Sequence, residues 1–204
     1  MNSGKIFTTI MNKLLLLNKT NQKIFSTQDL SVIWQEPDRR KLLENIKYYL
    51  KTEQIYQVSR GIYSTEPYSA KDIKEDIELS FKIAQRISPN SYISLCTAMK
   101  YHGLIFQYYS EIYSIAERNI KREIFNENFI FKTMKDDIFR NDKGILNRQG
   151  YRIASKERSF CDSLYLFPSL GIDNVDSLDK DRVREISRIY GNNSLNKRIK
   201  LLFK

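Results

Sequence analysis

Residues 25–64 read FSTQDLSVIWQEPDRRKLLENIKYYLKTEQIYQVSRGIYS, and their signals run helix, turn, helix, hairpin. Thr27 offers a hydroxyl to an orphan backbone N–H and is the expected N-cap of the first helix. Leu30, Ile33 and Trp34 then recur at i, i+3 and i+4, an apolar stripe on one side of a helix. Pro37 stops that helix by pushing Glu36 out of the α region. A longer helix opens at about Asp38, with Leu42, Leu43, Ile46, Tyr49 and Leu50 as its apolar face. Its other face carries Arg39, Arg40, Lys41, Lys47, Tyr48 and Lys51. Ile55, Val58, Ile62 and Tyr63 read as two short strands around the turn Ser59-Arg60-Gly61, where Gly61 supplies a positive φ. The pattern is that of a winged helix-turn-helix.

In such proteins the second helix enters the major groove and presents its N-terminal residues to the bases. Arg39, Arg40 and Lys41 stand at those positions, and Thr27, Gln28, Lys47, Lys51 and Arg60 are the expected phosphate contacts. Phosphate contacts fix register and base contacts give sequence choice. Basic faces are also common as plain solvated surface, and winged helices also serve as protein-docking modules. Sequence-specific DNA binding and protein docking are therefore the two competing readings of this stretch.

Outward from this stretch, charge is unevenly spread. The 204 residues carry a net charge of +10, with 41% hydrophobic and 28% charged residues, which fits a folded chain rather than a disordered one. Residues 1–65 contribute +5 and residues 182–204 contribute +6, around a nearly neutral body. An anionic partner is implied. Two isolated cysteines, Cys96 and Cys161, and one histidine supply too few ligands for a Cys/His zinc site. No metal site and no cofactor are expected. Isolated cysteines fit a reducing cytosol. The run Leu14–Leu17 lacks the continuous apolar core and cleavage site of a signal peptide, and no stretch is long enough to span a membrane. A cytoplasmic protein is expected.

Residues 5–17 read as a helix with Ile6, Ile10, Leu14 and Leu17 on one face, completing a three-helix core. Pro67 marks the expected boundary between a DNA-binding domain, 1–66, and a C-terminal domain, 67–204. Beyond it, 71–87 reads as one helix, and a second, capped by Ser94 or Ser91, runs through about Tyr101, with His102 at its end and Gly103 as the C′ residue. The lone His102 suits a helix C-terminus, where the dipole favours it. EIYSIAE, KREIF and NFIFKTMKDDIF, within 105–140, read as strands of an antiparallel sheet, with a turn at Asn126-Glu127-Asn128. GYRIAS (150–155) is another strand, and Ser155 caps the helix that follows it. The tail holds two helices, about 179–190 and 194–203. Their Arg182, Arg184, Arg188, Lys197, Arg198 and Lys200 form either a solvated face or a second anion-binding surface. The overall class expected is α+β: winged helix, then an α+β domain with an antiparallel sheet, then a basic helical tail.

Catalytic motifs do not emerge. There is no Gly-rich phosphate loop, GxSxG or HExxH. Asp136 and Asp137 are adjacent and would point to opposite faces of a strand, and Glu157 and Asp162, five apart on a helix, do not share a face. The chain is not expected to be an enzyme.

Three segments, IYQVSRGIYS, then SPNSYISLCTAMKYHGL, then GYRIASKERSFCDSLYL, occur in an order that resembles the AbiEi family. These are antitoxins and transcriptional regulators of bacterial type IV toxin–antitoxin (abortive infection, phage defence) systems. The resemblance runs from Phe25 to Leu166; Lys156 stands where the family more often has Pro, and Cys161 where it has a small aliphatic residue. It implies autorepression by binding double-stranded DNA at repeats in the protein's own promoter. It also implies neutralisation of a cognate nucleotidyltransferase-like toxin through the C-terminal domain.

Overall fold

The computed structural model describes residues 13–107 and 110–203. Ile6 and Ile10 of the expected first helix lie outside them; the described part of that helix, α1, covers 13–18 and contributes the fully buried Leu17. Strand β1 (Ile24–Ser26) and helix α2 (Thr27–Ile33) follow, then α3 (Arg39–Lys51), β2 (Tyr56–Ser59) and β3 (Ile62–Ser64). The N-cap of α2 is Ser26 rather than Thr27. Asp29, three residues on, makes the difference. Its carboxylate accepts from the Ser26 backbone N–H at 2.7 Å while the Ser26 hydroxyl accepts from the Asp29 N–H at 3.0 Å, a reciprocal box that Thr27 could not form. Helix α2 also ends earlier than Pro37 demands, because Gln35 turns into the left-handed region at φ 52°. Asp38 then caps α3, its carboxylate accepting from the N–H groups of Arg40 and Lys41.

The core of this unit gathers Leu17, Phe25, Leu30, Trp34, Leu42, Ile46, Tyr49, Ile55 and Tyr63. Trp34 and Tyr49 meet with ring centroids 5.2 Å apart, and the indole N–H donates to the Lys13 carbonyl. β1, β3 and β2 form an antiparallel sheet in that order. Strand β1 was not foreseen, since three residues are too few to show an alternation.

The division between compact units falls after Ile87, not after residue 66. Two helices, α4 (Ala70–Glu75) and α5 (Ile77–Ile87), replace the single helix expected over 71–87, because Asp76 leaves the helical region at ψ 94° and its carboxylate accepts from the N–H groups of Glu78 and Leu79. Arg86 of α5 explains why this pair belongs to the first unit. Its guanidinium lies 3.1 Å from Asp29 and donates to the Ile24 carbonyl, clamping the start of α2.

The second unit begins at Ser88. It contains β4 (Tyr92–Ile93), α6 (Leu95–Tyr101), β5 (Glu111–Ile115), β6 (Ile120–Ile124), β7 (Glu127–Lys132), α7 (Asp136–Phe139), β8 (Ile145–Arg148), β9 (Tyr151–Ala154) and α8 (Lys156–Leu166). Helices α9 (Lys180–Ser187) and α10 (Asn193–Leu202) close it, linked by a 3₁₀ turn over Arg188–Tyr190. The six strands are ordered β6-β7-β5-β4-β9-β8. This sheet is mixed rather than antiparallel: β5 runs parallel to β7, and β4 parallel to β9. The β6–β7 hairpin turns at Phe125 and Asn126, both at positive φ, so Glu127 and Asn128 belong to β7 and not to the turn. The segment MKDDIF is likewise not strand; Asp136 and Asp137 open the one-turn helix α7.

Candidate nucleic-acid interface

Helix α3 separates its residues cleanly. Leu42, Ile46 and Tyr49 are buried, while Arg39, Arg40, Lys41, Leu43, Glu44, Lys47, Tyr48 and Lys51 are exposed. Residues four apart stack along a helix, so Arg39, Leu43, Lys47 and Lys51 form one row and Arg40, Glu44 and Tyr48 a second beside it. Arg40 Nε lies 3.3 Å from Glu44 Oε1, an exposed i,i+4 pair whose contribution to stability is only about 0.3–0.5 kcal/mol. No carboxylate among the described residues pairs with Arg39, Lys41, Lys47 or Lys51, so the row keeps its positive field. Leu43 departs from expectation: it faces outward with the cations rather than inward with Leu42 and Ile46.

The hairpin brings Arg60 close to the start of α2. Gly61, at φ 78°, lets the turn close, and its carbonyl accepts from the Thr27 backbone N–H at 3.0 Å and lies 3.4 Å from the Thr27 hydroxyl. Thr27 is thus half-buried at the seam between turn and helix, with Gln28 and Arg60 exposed on either side. The sequence-expected residues fall into two sets, one on α3 and one at this seam.

The tail residues are not equivalent. Arg198 is half-buried and donates to the Leu164 carbonyl at 2.5 Å, holding α10 on α8. Arg184 pairs with Asp181 at 2.9 Å. Arg182, Arg188, Lys197 and Lys200 are exposed, though Asp179, Asp181 and Glu185 interrupt the charge of α9. The carboxyl of Glu185 is held below its usual range by the Lys143 ammonium 2.7 Å away. The second surface narrows to α10.

The polar centre of the second unit is one that sequence reading missed. Arg158 and Asp162 on α8 are both fully buried and form an ion pair at 3.0 Å. The guanidinium donates all five of its N–H groups: Nε to Asp162, Nη1 to the carbonyls of Asn141 and Lys143, and Nη2 to the Tyr92 hydroxyl and the Ile138 carbonyl. Asp162 in turn accepts from Tyr190 at 2.5 Å and from Ser94 at 2.7 Å. Burial is the largest single influence and opposes charge on Arg158, but the Asp162 carboxylate with its hydrogen bond, together with the Tyr190 and Tyr92 phenols, outweighs it and pushes the guanidinium further above its ordinary pKa. Burial, together with the Asp162 charge, pushes the Tyr92 and Tyr190 phenols well up. Everything in the cluster is satisfied and enclosed, so it orders the unit rather than meeting a ligand. The i,i+4 Arg158–Asp162 spacing is the one local signal of this pair; its other partners come from distant segments of the chain.

His102, the C-cap of α6, lies with Nε2 2.8 Å from the Ala154 carbonyl, which ties α6 to β9. Burial holds the imidazole below its ordinary 6.5. Among the described residues no three His, Cys, Asp or Glu side chains converge as metal ligands would, and no helix is long and apolar enough to cross a membrane.

No family model and no curated protein matches the chain. Among solved structures it is similar to the RV2827C protein from Mycobacterium tuberculosis, at 13% identity, covering 96% of this chain and 76% of that one, with a TM-score of 0.53. At that identity the likeness is one of fold.

Proposed function

We propose that the N-terminal unit is a winged helix-turn-helix that binds double-stranded DNA, with α3 in the major groove and the β2–β3 hairpin as the wing. The protein is then a sequence-specific transcriptional autorepressor. The observation that carries this is the exposed face of α3, where Arg39, Lys47 and Lys51 stand in one row without carboxylate partners among the described residues, alongside Arg40. Arg39, Arg40 and Lys41 reach base edges; Lys47, Lys51, Arg60, Thr27 and Gln28 hold phosphates. An Arg bidentate to guanine contributes about 1–3 kcal/mol of discrimination. The antitoxin role, countering a nucleotidyltransferase-like toxin, is carried by the resemblance of the three quoted segments to the AbiEi family.

The test is Arg40→Ala, measured on the upstream DNA of the protein's own gene and on a scrambled duplex. Affinity should fall about 5- to 150-fold for the cognate DNA and much less for the scrambled one. Equal losses on both would reduce Arg40 to a phosphate contact, and no measurable binding by the unaltered protein would favour a protein-docking role for this unit. Co-expression with a toxin encoded beside it, with and without the C-terminal unit intact, tests the antitoxin half.

A further inference from the structure

Leu43 is 45% exposed, although its neighbours Leu42 and Ile46 are buried at 4% and 3%. A single exposed leucine on a surface is ordinary; its position in this one carries the argument. It stands in the row Arg39, Leu43, Lys47, Lys51, between cations one helical turn to either side. Arg39, Arg40, Glu44 and Lys47 surround it on the same exposed face of α3. A helix lying in the major groove places its outer charges against the phosphate rims and the centre of its face against the base edges. Of the four bases only thymine presents an apolar group there, its 5-methyl, and apolar side chains read it by contact. Arginines, lysines and a glutamate satisfy the polar edges and the backbone; the leucine matches none of these.

We propose that Leu43 is a specificity-determining residue that packs on the 5-methyl group of a thymine. The inference rests on the DNA-binding reading of α3 and names what one position of that face selects. The full chain is used to enrich a duplex from a randomised pool, and the duplex is then synthesised in two forms, with thymine or with deoxyuridine throughout. Only the methyl groups differ between the forms. The unaltered protein should prefer the thymine form by about fourfold for each contacted methyl, the fold-change that burial of one such group corresponds to. Leu43→Ala should bind the two forms within about twofold of each other, and Leu43→Met, which keeps an apolar reach, should restore the preference.

Equal binding of both forms by the unaltered protein would overturn the inference while leaving DNA binding intact. A thymine preference that survives Leu43→Ala would also overturn it, placing the methyl contact on another residue. Failure to enrich any duplex would remove the DNA-binding reading and this inference together.

Discussion

Asp162→Asn changes one charge and almost no volume, so it isolates the carboxylate at the centre of the second unit. The buried Arg158 guanidinium uses all five donors, and only the acceptor at Asp162 carries a compensating charge. In the variant that charge is gone. One carboxylate oxygen becomes an NH₂ donor, facing either the Ser94 hydroxyl or the Arg158 and Tyr190 donors. Breaking a buried pair from one side costs about 3–5 kcal/mol, a large share of the 5–15 kcal/mol that typically stabilises a domain. For a urea dependence of about 2 kcal/mol/M, the midpoint moves down by about 1.5–2.5 M. Urea unfolding followed by amide exchange in α8 reads this directly. Arg158→Met should cost a similar amount, since it strands the Asp162 charge and orphans three carbonyls. The double replacement Arg158→Met/Asp162→Leu should cost clearly less than the sum, with a coupling of at least about 2 kcal/mol. Single variants within about 0.5 kcal/mol of the unaltered protein, or strictly additive losses, would refute the account of this cluster.

Other expectations follow from the same geometry. His102 has its pKa depressed by burial, so the unfolded chain binds its proton more readily. The stability this contributes is complete above pH 6.5 and is lost as pH falls below 6.5 toward the folded value; urea midpoints at pH 7.5, 6.5 and 5.5 should show a smaller decline for His102→Gln. Gly61→Ala places a side chain at φ 78° and should cost about 1–2 kcal/mol, read from Trp34 fluorescence in the N-terminal unit. Gly144→Ala should do worse, because the added Cβ would sit 2.8 Å from Arg158 Cβ; the check is the same exchange measurement on α8. Arg60→Gln should weaken binding to every duplex alike and lower the salt slope by about 0.9. Lys197→Gln/Lys200→Gln should lower it by about 1.8, and an unchanged slope would assign the charge of α10 to a partner other than DNA.

Much of the first unit was legible because its signals are local. Periodicity located α2 and α3, and Ser59-Arg60-Gly61 located the hairpin turn. The N-cap of α2 moved by one residue because two serine/threonine hydroxyls compete there, and only a partner three residues on decides between them. Leu43 was placed in the core because it lies beside Leu42, although its angular position on the helix belongs with Arg39 and Lys47. In the second unit the strands β5, β6 and β9 were readable from their β-branched and aromatic content. Strand order and direction were not: the β5–β7 and β4–β9 pairings are between segments distant in sequence, and no local pattern encodes them. The Arg158 cluster was hidden for the same reason, since Tyr92, Asn141 and Tyr190 converge on it from three separate parts of the chain. The charge of the tail was visible in composition, but the inward turn of Arg198 required the packing of α10 on α8.

The most direct test of the central claim is a salt-titrated binding measurement on the upstream DNA of the protein's own gene against scrambled DNA. With Lys47, Lys51 and Arg60 on phosphates, Lys197 and Lys200 of α10 adding two contacts, and up to three further cations from the start of α3, log K should fall with log salt at a slope of about −4 to −7. The upstream DNA should bind more tightly than the scrambled one at every salt concentration. Weak, salt-insensitive binding to both would contradict the DNA-reading account and leave the basic face of α3 to a protein partner.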